Sequence, residues 1–199
     1  MATKNEVWVY EYDNDYPCEN ETTKGEYEIT KVRYILGEKF DSSSKKALVC
    51  IGVNPSTAVP KELDSTLKRV QKYAKEAGEY NAWYMINVYP QRATNPKNMN
   101  KEIDTAIHSR NLEHIQALMT SLPTADIWCA WGRVITKKRY LKPCLKDIIE
   151  SVQDLKNKSF SYVSRKRADG KKSEHPLHPI ASVKMEPILS DFDIKNYLK

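Results

Sequence analysis

Two asparagines and two histidines stand in this chain where their side chains can do chemistry. Asn54 lies in Gly52-Val53-Asn54-Pro55-Ser56, directly after the apolar run at 47–52, and Asn87 ends a second run within 82–88. Trp131-Gly132 follows a third run, and His175-Pro176-Leu177-His178-Pro179 comes after a fourth. An amide does not accept a proton near neutral pH, so Asn54 can act by holding a water through its oxygen, not as a base. Asn87 offers a donor and an acceptor side by side, which can match the polar edge of a ring. An imidazole can donate a hydrogen bond to a group that becomes negative only in the transition state. Brought together, such groups suit hydrolysis by a positioned water; taken singly, Asn54-Pro55 reads as an ordinary turn and Asn87 as a loop cap.

Those residues need a common platform. Residues 47–52 (ALVCIG), 82–88 (AWYMINV), 125–130 (ADIWCA) and 160–163 (FSYV) are short and largely apolar. They read as buried strands. Leu63, Leu67, Val70, Ala74 and Ala77 repeat at a helical period, with Pro60 suited to a first turn and Gly78 to a stop. Ile103, Ile107, Ile115, Leu118 and Leu122 predict a second helix, and a third falls within 137–153. Asp64-Ser65-Thr66 stands where the first helix needs a cap.

Strand alternating with helix predicts an α/β fold: three layers, α/β/α, around a mainly parallel four-stranded sheet. In such sheets ligands sit beyond the carboxyl ends of the strands. Asn54, Asn87, Trp131 and His175 are therefore expected on one rim. Val7-Trp8-Val9-Tyr10 and Tyr27-Glu28-Ile29-Thr30 alternate in character and predict an N-terminal β-hairpin extension within residues 1–40. The core is expected over 45–185, and the whole chain as one domain.

The 199 residues can bury one sizeable core. No apolar stretch reaches membrane-spanning length, and the opening MATKNEVWVYEYDND holds no apolar signal segment. A cytoplasmic monomer with no membrane partner is expected. The net charge of +6 and pI near 9.0 favour an anionic partner, DNA or a nucleotide. The densest basic stretch is Arg165-Lys166-Arg167-Ala168-Asp169-Gly170-Lys171-Lys172. Cys18, Cys50, Cys129 and Cys144 are scattered without a C-x-x-C pair, so reduced thiols are expected. His108 and His114 do not share a helix face, and no metal is expected. The absence of G-x-G-x-x-G, Walker and G-x-S-x-G motifs argues against dinucleotide, P-loop and serine-hydrolase chemistry.

Gly52-x-Asn54-Pro55-Ser56, Asp64-x-Thr66, Asn87-x-x-Pro90, Trp131-Gly132 and His175-Pro176 resemble the markers of DUF1643, a bacterial and phage family of unknown function. The resemblance spans Gly52 to Pro179. More distantly, Gly52-x-Asn54-Pro55 resembles the first motif of the uracil-DNA glycosylase superfamily in its mismatch-specific branch. Asn87 resembles the asparagine that reads the flipped base in several branches. His175-Pro176-Leu177, or alternatively His178-Pro179, resembles the second motif, which begins H-P, although the usual serine is missing.

That distant resemblance implies a uracil-DNA glycosylase-like fold and cleavage of the N-glycosidic bond of a flipped pyrimidine in DNA, without a cofactor. It implies water positioning by Asn54, leaving-group stabilisation by His175 and base reading by Asn87. Gly52, Pro55, Ser56, Trp131 and His178 complete the substrate pocket. Ser56 replaces the tyrosine with which the uracil-only branch blocks groups at C5, so a C5-substituted pyrimidine, such as a modified phage base, is implied. Cys129 and Cys144 resemble half of an iron–sulfur site whose N-terminal half is missing, so no cluster is implied. Arg165, Lys166, Arg167, Lys171 and Lys172 would grip phosphates, and Leu177 or Ile180 would fill the gap left by the base. Two other functions stay open: a module that holds a nucleotide or flipped base without cutting it, and an enzyme of free nucleosides or nucleotides.

Overall fold

The computed structural model describes residues 7–16, 23–40, 46–156, 158–164, 173–182 and 187–199. The chain begins with β1 (Val7–Tyr12), the short β2 (Thr23–Lys24) and β3 (Tyr27–Glu28), and β4 (Arg33–Lys39). There follow β5 (Lys46–Gly52), α1 (Ser65–Glu76), β6 (Tyr80–Asn87), α2 (Thr105–Ser121) and β7 (Ala125–Cys129). The remainder comprises α3 (Leu141–Ser151), α4 (Gln153–Lys156), β8 (Phe160–Tyr162), β9 (Ser190–Asp191) and α5 (Ile194–Tyr197).

Among the described residues one sheet runs β1-β4-β6-β5-β7-β8-β9. β5 lies parallel to β6 and β7, and β7 parallel to β8. β1, β4 and β9 run antiparallel to their neighbours. The fold is α/β as expected, but the sheet is mixed and has seven strands instead of being mainly parallel with four. The expected N-terminal hairpin is also corrected. β1 pairs with β4, with Val7 opposite Lys39 and Tyr10 opposite Leu36, while β2 and β3 form a separate two-stranded ribbon.

β4 escapes an apolar scan because two of its buried residues are charged, Arg33 and Glu38. Glu38 accepts hydrogen bonds from Gln71 Nε2 (2.6 Å) and Lys75 Nζ (2.7 Å) on α1 and from Trp83 Nε1 (3.0 Å) on β6. Burial alone would raise its pKa, but these bonds to the carboxylate outweigh burial and lower it. One acidic group thus ties two strands to a helix.

The buried strands alternate between two apolar faces. Ala47, Val49 and Ile51 of β5 join a core with Ile107 and Ile115 of α2 and Leu145 and Ile148 of α3. Leu48 and Cys50 join a second core with Leu67, Val70 and Ala74 of α1. Helices therefore cover both faces of the sheet. α1 is capped by Asp64, whose side chain accepts from Leu67 N (2.9 Å), and Gly78 follows its C-cap. Pro60 is not in its first turn. Pro60 precedes Lys61, at φ 63°, in a tight turn bridged by Val59 and Glu62, and the helix waits for the cap. Ile103 likewise lies ahead of α2, which starts after its cap Asp104.

α1 connects the parallel strands β5 and β6, so it must run back against them, with its N-terminus at their carboxyl ends. Gly52 and Asn87 are register partners there, two residues beyond Cys50 and Met85 on the α1 face. β4 runs antiparallel to β6, so its first residue, Arg33, arrives at the same edge, where its backbone N–H donates to Pro90 O (3.0 Å). Among the described residues no helix is long and apolar enough to cross a membrane.

Candidate functional site

The strand ends open into a cavity of about 410 Å³, within the roughly 300–1,000 Å³ usual for small-molecule sites. Its floor is Asn87, which is 1% exposed and lines the cavity. Neither Nδ2 nor Oδ1 of Asn87 has a hydrogen-bond partner among the described residues, although both atoms are buried. Its backbone O is held by Asn111 Nδ2 (3.0 Å), which fixes the strand end. A buried amide left without partners costs about 1–3 kcal/mol. Such a group can take a buried water or a ligand with a donor and an acceptor of its own.

Gly52 permits this arrangement. A Cβ there would stand 3.0 Å from Asn87 Oδ1. Beyond Gly52 the two loops stay zipped together: Val88 N donates to Gly52 O, Tyr89 N to Val53 O and Ala93 N to Pro55 O, each at 2.9 Å. Asn54 rides on this zipper. Its Nδ2 donates to Ala93 O (2.7 Å) and Pro55 O (3.2 Å). Both contacts require a donor, so the nitrogen is fixed on the carbonyls. Oδ1 makes no hydrogen bond among the described residues and is left for the cavity that Asn54 lines. Pro55 is buried behind that wall and is not among the lining residues.

Ser56 Oγ donates to Asp64 Oδ2, while Asp64 Oδ1 takes the Leu67 amide. Both oxygens of the carboxylate in the lining are thus engaged. Ser56, Asp64, Ser65 and Thr66 bring the start of α1 into the wall. Arg33 closes the same wall and is 1% exposed. Burial first, then the charge of Arg92, lowers the Arg33 pKa to about 9, so it stays cationic at neutral pH.

The far wall comes from Trp131 and His178. Gly132, at φ +57°, turns the chain after β7, and its N–H donates to Pro176 O (2.8 Å). Leu177 N donates to Val163 O (3.0 Å). These two bonds set the path of the H-P-L-H-P segment. His178 faces the cavity, and burial lowers its pKa against the opposing charge of Asp64. His175 is not among the lining residues. It is buried, and its Nδ1 bonds Tyr197 Oη (2.8 Å), which also accepts from Trp131 Nε1 (3.1 Å). Burial lowers the His175 pKa as well.

The family model described as protein of unknown function (DUF1643) matches residues 33–180. The chain belongs to this family. No curated protein and no solved structure matches it. The DUF1643 match begins at Arg33, the first residue of β4, and so includes a strand that the motif-based span from Gly52 left out.

Of the residues expected to form a site in this DUF1643 chain, Gly52, Asn54, Ser56, Asn87, Trp131 and His178 line one cavity. Pro55, His175 and Leu177 do not. Leu177 is half-buried and packs against the core beneath α1, whereas Ile180, at 38% exposed, lines the cavity. Arg165, Lys166, Arg167, Lys171 and Lys172 lie outside the described residues. Arg33 was missed in the sequence because it sits in a strand that apolar patterning does not reveal. Cys50, Cys129 and Cys144 are buried free thiols, and burial raises the pKa of each. Among the described residues no group of three or more His, Cys, Asp or Glu could hold a metal ion.

Proposed function

We propose that the cavity receives one pyrimidine base flipped from DNA and that the protein hydrolyses the bond joining it to deoxyribose. The observation that carries this reading is Asn87: a fully buried amide, unpartnered at both polar atoms, on the floor of a cavity of small-molecule size. Its donor and acceptor match the alternating edge of a pyrimidine. A uracil-DNA glycosylase-like arrangement is part of the proposal. It is supported by the four parallel strands β6-β5-β7-β8, whose carboxyl ends present the site.

In this reading Asn54 Oδ1 accepts from a water beneath the sugar. The water oxygen bonds to C1′ as the bond from C1′ to the base nitrogen breaks, and the electron pair leaves with the base. The water's proton passes to solvent or to the departed base, because an amide cannot hold it. His178, which lines the cavity, takes the leaving-group role in preference to His175, which is bonded to Tyr197. Burial favours the neutral ring of His178, which still donates through one N–H to the developing anion. Ser56 is small and held by Asp64, leaving space beside C5.

DNA incubated with the protein is then expected to acquire alkali-labile abasic sites at a pyrimidine, C5-modified ones included, in preference to a purine. A second reading, holding the base without cutting, is favoured by one observation. Asp64, the carboxylate of the described lining, is engaged at both oxygens and is not placed to activate water. Binding of the same oligonucleotides without abasic sites would select it.

A further inference from the structure

Arg33 is a buried cation that the steps above do not use. Among the described residues its side chain makes one hydrogen bond, from Nη1 to Ala58 O (2.8 Å), and Nε is buried without a partner. No carboxylate forms an ion pair with it among the described residues. Asp64 is occupied by Ser56 and Leu67. A guanidinium presents five donors in a rigid fork, and leaving them open in the interior is costly. The cavity that Arg33 lines is where its missing acceptor can come from.

The N-terminus of α1 reaches the same cavity through Ser65 and Thr66. The first turn of a helix leaves its amide protons without intrahelical acceptors, and the aligned peptide dipoles favour an anion there. Asp64 caps only Leu67 N, so the amides of Ser65 and Thr66 are not taken by the cap. The Asp64 carboxylate stands at the same wall, but its oxygens are taken by Ser56 and Leu67 and neither bonds Arg33.

We propose that Arg33 and the first turn of α1 form an anion subsite that holds a phosphate ester of the nucleotide whose base Asn87 reads. This rests on the nucleobase reading of the cavity and adds the substrate class: a phosphorylated nucleotide, not a bare nucleoside. The phosphate belongs either to a free mononucleotide or to a DNA strand, and the chemistry at Arg33 is the same.

Two variants probe it. Arg33→Gln removes the charge. Ser65→Pro removes one amide proton at the first helical position, where proline is tolerated. Asp64 already has the extended backbone (φ −75°, ψ 175°) that a following proline requires. Ser65→Pro is therefore expected to fold even if Arg33→Gln does not. The measurement is calorimetric titration of the full chain with thymidine, thymidine 5′-monophosphate, inorganic phosphate and a short oligothymidylate.

At least one phosphorylated probe is expected to bind about tenfold or more tightly than thymidine, as a charge-assisted hydrogen bond provides. Each variant is expected to lose most of that advantage while holding thymidine within about twofold of wild type. An advantage for the monophosphate identifies a free nucleotide, and an advantage for the oligothymidylate alone identifies a strand phosphate. Equal affinity for thymidine and both phosphorylated probes overturns the subsite and leaves the base reading standing. Phosphate binding that depends on Arg33 and Ser65, to which thymidine adds nothing, keeps the subsite and overturns the base reading. No binding of any probe overturns both.

Discussion

Gly52 and Asn87 stand opposite each other at the ends of β5 and β6, so close that the asparagine's amide is placed by the glycine's missing side chain. A Cβ on Gly52 would meet Met85 Cε at 2.4 Å and Asn87 Oδ1 at 3.0 Å. Met85 can swing its terminal methyl aside, but the Asn87 amide can yield only by turning out of its place on the cavity floor. Gly52→Ala is therefore expected to cost about 1–3 kcal/mol of stability through overpacking, and to weaken pyrimidine binding at least about tenfold. Urea unfolding and ligand titration of the same preparation measure both. Unchanged affinity would show that the Asn87 amide is not the reading group.

Asn87 itself invites the opposite experiment. Its two polar side-chain atoms are buried without partners, so an apolar residue of similar size removes an uncompensated cost. Asn87→Leu is expected to raise the unfolding free energy by about 1–2 kcal/mol while abolishing base binding. A fall in stability would mean that the amide is satisfied within the fold.

The two histidines separate by the same pair of measurements. His178→Gln is expected to lower the cleavage rate about a hundredfold or more with little change in unfolding midpoint. His175→Gln breaks the bond to Tyr197 Oη and acts mainly on stability, by about 1 kcal/mol, with a smaller effect on rate. The reverse pattern would return the leaving-group role to His175.

The parallel strands were legible because each is a short apolar run closed by a small or polar residue: Gly52 ends β5, Asn87 ends β6, and Trp131-Gly132 follows β7. Asp64 was legible as a cap because a helical repeat begins just after it. β4 was not. Its sequence RYILGEK carries a buried Arg33 and a buried Glu38, and a charge becomes a core residue only when its partners are known. For Glu38 those partners, Gln71, Lys75 and Trp83, are more than thirty residues away in the chain. Missing β4 also meant missing the mixed sheet and Arg33 on its rim. The choice between His175 and His178 was hidden for another reason. It depends on the loop path set by the bonds from Gly132 to Pro176 and from Leu177 to Val163, which no local pattern encodes.

Glu38 gives the fold a pH dependence of definite sign. Its carboxyl pKa is lower in the fold than the ordinary 4.5, so the group stabilises the protein above that value and the contribution is lost as pH falls through the folded value. Glu38→Gln is expected to be less stable than wild type at pH 7 by about 1–3 kcal/mol, as for a buried acceptor whose replacement leaves donors unpaired. The difference should shrink steadily below about pH 4.5. Unfolding free energies of both proteins from neutral to acid pH provide the check. A gap that is constant with pH would place the Glu38 carboxylate outside this network of bonds.

The proposed hydrolysis depends on Asn54, whose nitrogen is pinned on Ala93 O and Pro55 O, which leaves its oxygen to position the attacking water. The most direct measurement is the single-turnover rate of abasic-site formation by Asn54→Ala beside wild type, on an oligonucleotide that both proteins bind. The expected result is a loss of at least about a hundredfold in rate with affinity within a few-fold of wild type. Cleavage by Asn54→Ala at the wild-type rate would contradict it.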